Sequence, residues 1–321
     1  LNNTTKHVMG GIYSLAGCKK VVEMAEMIAG GEDALRAKPF VSFITLIISP
    51  FKVDDHYGEM TCYLADKGLP VVVPTEPICG TTAPITLAGN VLTHIAETLG
   101  GIAMVQAVRK GAPGICGSVG SISDLATMGH LSGPIERAMI NAAVAQLAQH
   151  FELPLYSTAG TSDAKRVCVQ AAYESSMSNL LVAMSGANYI HDAAGLMEFD
   201  LTVSYNKLVM DNEILGMCNR VLRGIEVTED SLAKDLLIDK GPAKDYIAEE
   251  HTVRYMRGET DGDSDAYSQA QAFVMDLIER PHEGLLPAEV RERVLKKFPE
   301  IRHGETGGDI ASPGLAEAAH E

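Results

Sequence analysis

Basic residues are scarce in this chain: 26 Lys and Arg stand against 42 Asp and Glu, leaving a formal net charge of −16 and a pI near 5.0. A surface so poor in cations cannot neutralise a phosphate backbone, which counts against nucleic acid as a partner and against an anionic membrane. No Cys-x-x-C pair occurs among the six cysteines, Cys18, Cys62, Cys79, Cys116, Cys168 and Cys218. Their wide scatter counts against a metal site and reads as the reduced, mostly buried thiols of a cytoplasmic protein. Long apolar runs are missing too, since SFITLIISPF is too short to span a bilayer. No membrane segment is expected. Residues 1–11 lack the charged and then apolar pattern of a signal peptide. With no Met at position 1, the chain is expected to be a processed or excised piece.

What is present is a repeating pattern. The chain has 321 residues, 46% of them hydrophobic, enough to bury one large α/β core. Short β-rich runs open near Phe40, Leu69, Ala112, Leu153 and Ala187, each followed by a helical segment. TTKHVMGG and CKKVVEMAEMIAGG form one more such unit upstream. The spacing of roughly thirty to forty residues is that of a βα unit with parallel strands buried on both faces. Gly68, Gly111 and Gly186 close helices just before the next strand, where a left-handed cap is needed. Pro70, Pro113 and Pro154 stand at strand starts, where no ladder hydrogen bond is lost.

Six or seven such units with no dinucleotide fingerprint favour a (β/α)8 TIM barrel, N-terminally incomplete here because only six strands are clear. A doubly wound sheet is the alternative. The barrel portion is expected over 1–240, helices packed on it over 241–300, and a loose tail over 301–321.

In a parallel barrel, chemistry sits where the strands end. There the sequence places Thr75 and Glu76, then Ser118 to Asp124, then Tyr156 to Lys165, then His191, Asp192 and Glu198. Polar loops are also what helix capping requires, and Thr161, Ser162 and Asp163 are N-cap candidates for a helix starting near Lys165. Taken together, the carboxylates would make an electronegative mouth suited to a cation. GSVGS does not match a serine nucleophile elbow, and AAGLMEF is a weak phosphate loop. Lys6 is placed to be a strand-borne Schiff-base amine, and His94, mid-helix, reads as structural.

One family shares the longer motifs. In LPVVVPTEPICGTTAPITLAGNVLTHIAETLGG, Gly80, Pro84, Thr86, Ala88, Gly89, Ala96 and Glu97 fall in a pattern that resembles the trimethylamine:corrinoid methyltransferases. GAPGICGSVGSISDLATM and LPLYSTAGTSDAKRVCVQAAYES (Asp163, Ala164, Lys165, Gln170, Ala171, Glu174) are similar to the next segments of that family. LVMDNEI and EEHTVRYMR extend the likeness. The resemblance implies a (β/α)8 barrel with a longer N-terminus. It also implies methyl transfer from a methylated or quaternary amine to the cobalt of a separate corrinoid protein, which presents the cobalamin, none being permanently bound. Cys168 departs from the pattern, in which a second Asp is expected, and the chain has neither pyrrolysine nor Trp. A member lacking pyrrolysine, of the glycine betaine type, is the implied kind.

Cations are held by carboxylates and by aromatic faces. Glu76, Tyr156, Asp163 and His191 are therefore expected to line the pocket, with Thr75 and Ser157 as polar contacts. Lys165 is expected to bind a substrate carboxylate or to pair with Asp163. A homo-oligomer is expected. A barrel lyase or aldolase using Lys6 or Lys165, and a non-catalytic scaffold, are the competing readings.

Overall fold

The computed structural model describes residues 4–255, 266–280, 284–299 and 301. Six strands form its main sheet: β1 (Val8–Gly11), β2 (Val41–Ile44), β3 (Val71–Val73), β4 (Gly114–Gly117), β5 (Leu155–Thr158) and β6 (Tyr189–His191). All neighbours are parallel and follow chain order, with Val8 beside Val41, Val71 beside Gly114 and Tyr156 beside Tyr189. A doubly wound sheet reverses its strand order partway, and this one does not. Among the described residues no pairing joins β6 to β1, so the sheet is a curled parallel half-barrel.

Helices α1 (Leu15–Ala29), α2 (Glu32–Ala37), α3 (Asp55–Lys67), α4 (Leu87–Val108), α5 (Ile135–His150), α6 (Val169–Met184) and α7 (Tyr205–Arg223) lie between and after the strands. Their starts are fixed locally. Ser14, Asp54, Thr86 and Ser204 each accept a backbone N–H of the first helical turn. Alternate residues of each strand face the helices: Val41, Phe43, Val71, Val73, Cys116 and Leu155 share one core with Val22, Leu64, Val105 and Val144. Burying such aliphatic side chains is worth about 1.5–3 kcal/mol each. The opposite face carries Ser42, Val72, Tyr156 and Thr158, which are buried as well.

The expected strand starts hold to within two residues, and Gly68, Gly111 and Gly186 take positive φ (69°, 83°, 86°). α6 differs: it starts at Val169, with Cys168 at its N-cap and no side-chain cap bond. By length and composition α4 could pass for a membrane span, against the sequence expectation. Its buried face nevertheless carries Asn90, Thr93, His94, Glu97 and Thr98, each hydrogen-bonded within the fold.

Beyond α7 come α8 (Glu229–Leu232), α9 (Lys234–Lys240), α10 (Glu250–Tyr255), α11 (Ala266–Glu279) and α12 (Ala288–Lys297). α11 lies beside α7 and α12 beside α1, where Lys297 pairs with Glu23. The tail expected to be loose lies outside the described residues except for Ile301.

Candidate active site at the strand ends

The end of β3 is tied to α4. Thr75 is fully buried, and its hydroxyl hydrogen-bonds Glu97 Oε2. Ser49 donates to the same oxygen at 2.7 Å, and the Phe51 N–H donates to Oε1 at 2.8 Å. Glu97 is thus a buried carboxylate that gathers three donors and fixes the loop after β2. Thr75 faces the helices and not the mouth. Ser157 turns the same way, since the pleat sets it on the Leu155 face, and its Oγ is buried. These two hydroxyls do not line the mouth as the sequence suggested.

Tyr156 and His191 do come together, on the inner face. Their rings stack in parallel with centroids 4.2 Å apart and 4° between planes. Tyr189, two residues before His191 on β6, stacks on Tyr156 at 5.6 Å and 8°. The period of two along a strand is what places Tyr189 and His191 on one face. His191 Nδ1 lies 2.7 Å from Asp192 Oδ2, and Asp192 holds a positive φ of 59°. Burial and the nearby Asp192 charge push the Tyr156 phenol above its ordinary range. Tyr156 is buried, whereas Tyr189, the first residue of β6, is 43% exposed.

A small sheet roofs the ends of β3 and β4. Ile78–Cys79 runs parallel to Ser121–Asp124, which pairs antiparallel with Gly129–Leu131. It sets His130 between two carboxylates, 3.8 Å from Glu76 Oε1 and 3.3 Å from Asp200 Oδ2. Asp200 closes the tight turn between Leu196–Met197 and Thr202–Val203, where Glu198, Phe199 and Asp200 all have positive φ. Buried Arg137 meets Asp200 at 3.0 Å and donates to Thr161 Oγ1 at 2.7 Å. Burial alone would raise the Asp200 carboxyl, but the His130 hydrogen bond and the Arg137 charge hold it below the usual range.

The polar run after β5 is not a helix cap. Asp163 Oδ1 accepts the N–H and hydroxyl of Ser132, both at 2.8 Å. Ser162 donates to Glu174 Oε2 at 2.5 Å, and that oxygen also accepts the Asp163 N–H at 3.0 Å. Thr161 is taken by Arg137. The run is therefore fastened to the loop before α5 through Ser132 and to α5 and α6 through Arg137 and Glu174. With Asp163 so engaged, no Asp163–Lys165 pair forms, and Lys165 lies exposed at the rim. Lys6 precedes β1 at the opposite end of the strands and is exposed, so the strand-borne amine is not found there. Behind the loops, Lys207 and Asp211 form a buried pair at 2.5 Å. Lys207 donates to Gly160 O at 2.9 Å, while Asp211 accepts Gly195 N–H and Ser175 Oγ, each at 2.8 Å. Gly160 sits at φ 80°, where a Cβ would lie 2.3 Å from the Ala193 carbonyl oxygen.

Sequence reasoning singled out Glu76, Tyr156, Asp163 and His191 but assigned no role to Glu97, His130, Arg137, Asp200 or Lys207. For Glu97 a signal existed: it is a charge inside an otherwise uncharged helical stretch. Among the described residues, no three His, Cys, Asp or Glu side chains gather so as to hold a metal ion.

The family described as trimethylamine methyltransferase (MTTB) matches residues 1–306. Trimethylamine methyltransferase MttB of Desulfitobacterium hafniense is 40% identical over 256 residues, covering 80% of this chain and 51% of that protein. Glycine betaine methyltransferase of Desulfitobacterium hafniense (strain Y51) is 31% identical over 287 residues, 88% of this chain and 60% of that one. Trimethylamine methyltransferase MttB of Methanosarcina barkeri is 36% identical over 223 residues, 70% and 45%. The chain thus spans about half the length of the curated relatives it matches. The crystal structure of the hydroxylamine MtmB complex superposes with a TM-score of 0.43 at 15% identity, covering 77% of this chain and 54% of that one, too slight a likeness to argue from. On a match that runs through 306 of its 321 residues, the chain belongs to the trimethylamine methyltransferase (MTTB) family.

Proposed function

We propose that this chain serves a cytoplasmic methyltransferase that moves a methyl group from a methylated or quaternary amine to the cobalt of a separate corrinoid protein. Its six strands belong to an eight-stranded (β/α)8 barrel in this reading, and the mouth described above is the donor site. The observation that carries it is the stack of Tyr189, Tyr156 and His191 beside the Asp192 carboxylate, with Glu76 standing against His130 at the end of β3. A methylammonium ion is attracted to both kinds of group, and each aromatic face is worth about 0.5–2 kcal/mol.

The corrinoid, held by its own protein, would supply the cobalt nucleophile. The residues of this chain then have three tasks: to bind the cation, to aim one methyl outward and to keep water out. The neutral amine that leaves a methylammonium donor needs no proton from the protein. No general acid is therefore assigned. Tyr156 and His191 form the floor, Tyr189 the exposed wall, and Glu76 and Asp192 the counter-charge. Asp163 has one carboxylate oxygen fixed by Ser132 and contributes field and loop position. Thr75 acts from behind through Glu97, and Ser157 is placed behind the floor. Lys165, free at the rim, suits a donor that carries a carboxylate of its own.

The test uses trimethylamine and glycine betaine as donors, with a reduced corrinoid protein whose cobalt absorbance reports methylation, and calorimetry for donor binding alone. Tyr156→Leu is expected to weaken donor binding about tenfold, equal to ~1.4 kcal/mol, with Tyr156→Phe close to wild type. Wild-type rates in both Glu76→Gln and Asp163→Ala would sink the assignment of the mouth.

A further inference from the structure

The turn that carries Asp200 is strained. Glu198, Phe199 and Asp200 follow one another with φ of 53°, 60° and 67°. This is the left-handed region, where a Cβ crowds the following carbonyl oxygen and residues other than glycine are disfavoured. Among the described residues, the other non-glycine residues with positive φ stand singly. Strain of this kind persists only where neighbouring contacts hold it, and it gathers at clamps and switches. The stem of the turn is anchored. Met197 is buried, Asp211 holds the Gly195 N–H at 2.8 Å, and Ser204 caps α7. Past the stem the chain leaves the core, with Leu201 82% exposed.

The tip is drawn down by one carboxylate oxygen. Asp200 Oδ2 lies 3.0 Å from Arg137 Nη1 and 3.3 Å from His130 Nε2. These partners come from different elements, Arg137 from α5 and His130 from the small sheet that roofs β3 and β4. The same Arg137 nitrogen donates to Thr161 Oγ1, and the Glu198 N–H donates to Ala164 O at 3.2 Å. The tip therefore lies along the loop after β5, whose Thr161, Ser162 and Ala164 are buried although they stand at a strand end. A turn that begins after β6 thus reaches across β5 to the roof. Its backbone strain favours release, and the hydrogen bonds to Asp200 favour closure. Fixed ends, an exposed tip and two opposed contributions make a segment that opens without unfolding its surroundings.

We infer that residues 198–201 form a strap over the loop after β5, which swings on its anchored stem and is latched shut by Asp200. Opening uncovers the loop that carries Asp163. The strap stands whether or not the proposed chemistry does, and its test needs no methyl donor. In native-state hydrogen exchange of the whole chain, the Glu198 amide is expected to exchange at least about a hundredfold faster, relative to its intrinsic rate, than the Cys116 and Ser118 amides that bond β4 to β5. Asp200→Asn removes the charge but keeps a residue that tolerates the left-handed region. His130→Gln removes one partner and leaves the Arg137 pair in place. Each should speed Glu198 exchange about tenfold and leave Cys116 and Ser118 unchanged. Where Asp200→Asn also speeds Cys116, the His130→Gln result decides. Phe199→Gly should exchange about threefold more slowly at Glu198 than Phe199→Ala, because both lose the ring and only Ala keeps the Cβ penalty. A Glu198 amide as slow as that of Cys116 overturns the inference. So does exchange at Glu198 that neither latch variant alters, or a Gly variant no slower than the Ala variant.

Discussion

His94 is fully buried in α4, with Nε2 3.3 Å from the Gly117 carbonyl at the end of β4. Burial lowers its pKa to about 4 despite that carbonyl, so the folded protein holds the ring neutral. The unfolded chain protonates it near pH 6.5, and the unfolded state therefore binds more protons between the two values. Stability from this group is complete above pH 6.5 and is lost as the pH falls toward 4, by about 1.4 kcal/mol per unit. Urea unfolding across that window should show this slope in the wild type and a shallower one in His94→Gln. The sequence reading of His94 as structural agrees with its place. Glu97, three residues on, drew no such reading, because its partners Ser49, Phe51 and Thr75 arrive from loops distant along the chain. Side chains whose role is set by local position were legible. Those whose role is set by convergence, such as Arg137 and Asp200, were not.

At the scale of elements, α7 anchors two loops of the mouth through Lys207 and Asp211. Removing one member of a buried ion pair leaves the other charge uncompensated, at a typical cost of about 3–5 kcal/mol. Lys207→Met should therefore lower the urea midpoint more than the double variant Lys207→Met/Asp211→Asn, in which the amide oxygen can still accept Gly195 N–H while the amide NH2 donates to Ser175 Oγ. An equal or larger loss in the double variant would show that the pair does not act as a unit. The six main strands were legible because βα spacing and Gly and Pro punctuation repeat. The two-residue strands of the turn carrying Asp200 were not, since a segment so short has no period to read. The start of α6 was misplaced for a related reason: Thr161 to Asp163 have the composition of a cap but spend their hydrogen bonds on Ser132, on Arg137 of α5 and on Glu174 of α6.

For the molecule as a whole, the sheet has two outer strands, β1 and β6, each paired on one side only among the described residues. Native-state hydrogen exchange should follow that order. Amides of β3 and β4, flanked on both sides, are expected to exchange more than about tenfold more slowly than those of β1 and β6, a difference of ~1.4 kcal/mol in opening free energy. Uniform protection across the six strands would contradict the strand order. The barrel class was legible from the count and spacing of units, but closure is a property of geometry that no pattern of residues states.

The chain-order pairing has a further consequence, for synthesis. Among the described residues, each strand of the main sheet after β1 docks against the one made roughly thirty to forty residues earlier. Each βα unit can settle on its predecessor as it leaves the ribosome, so the growing edge acts as the template for the next strand. Tyr156 on β5, Asp163 in the loop after it and His191 on β6 belong to the last two units of that series. The candidate site is then assembled late, on a platform already built.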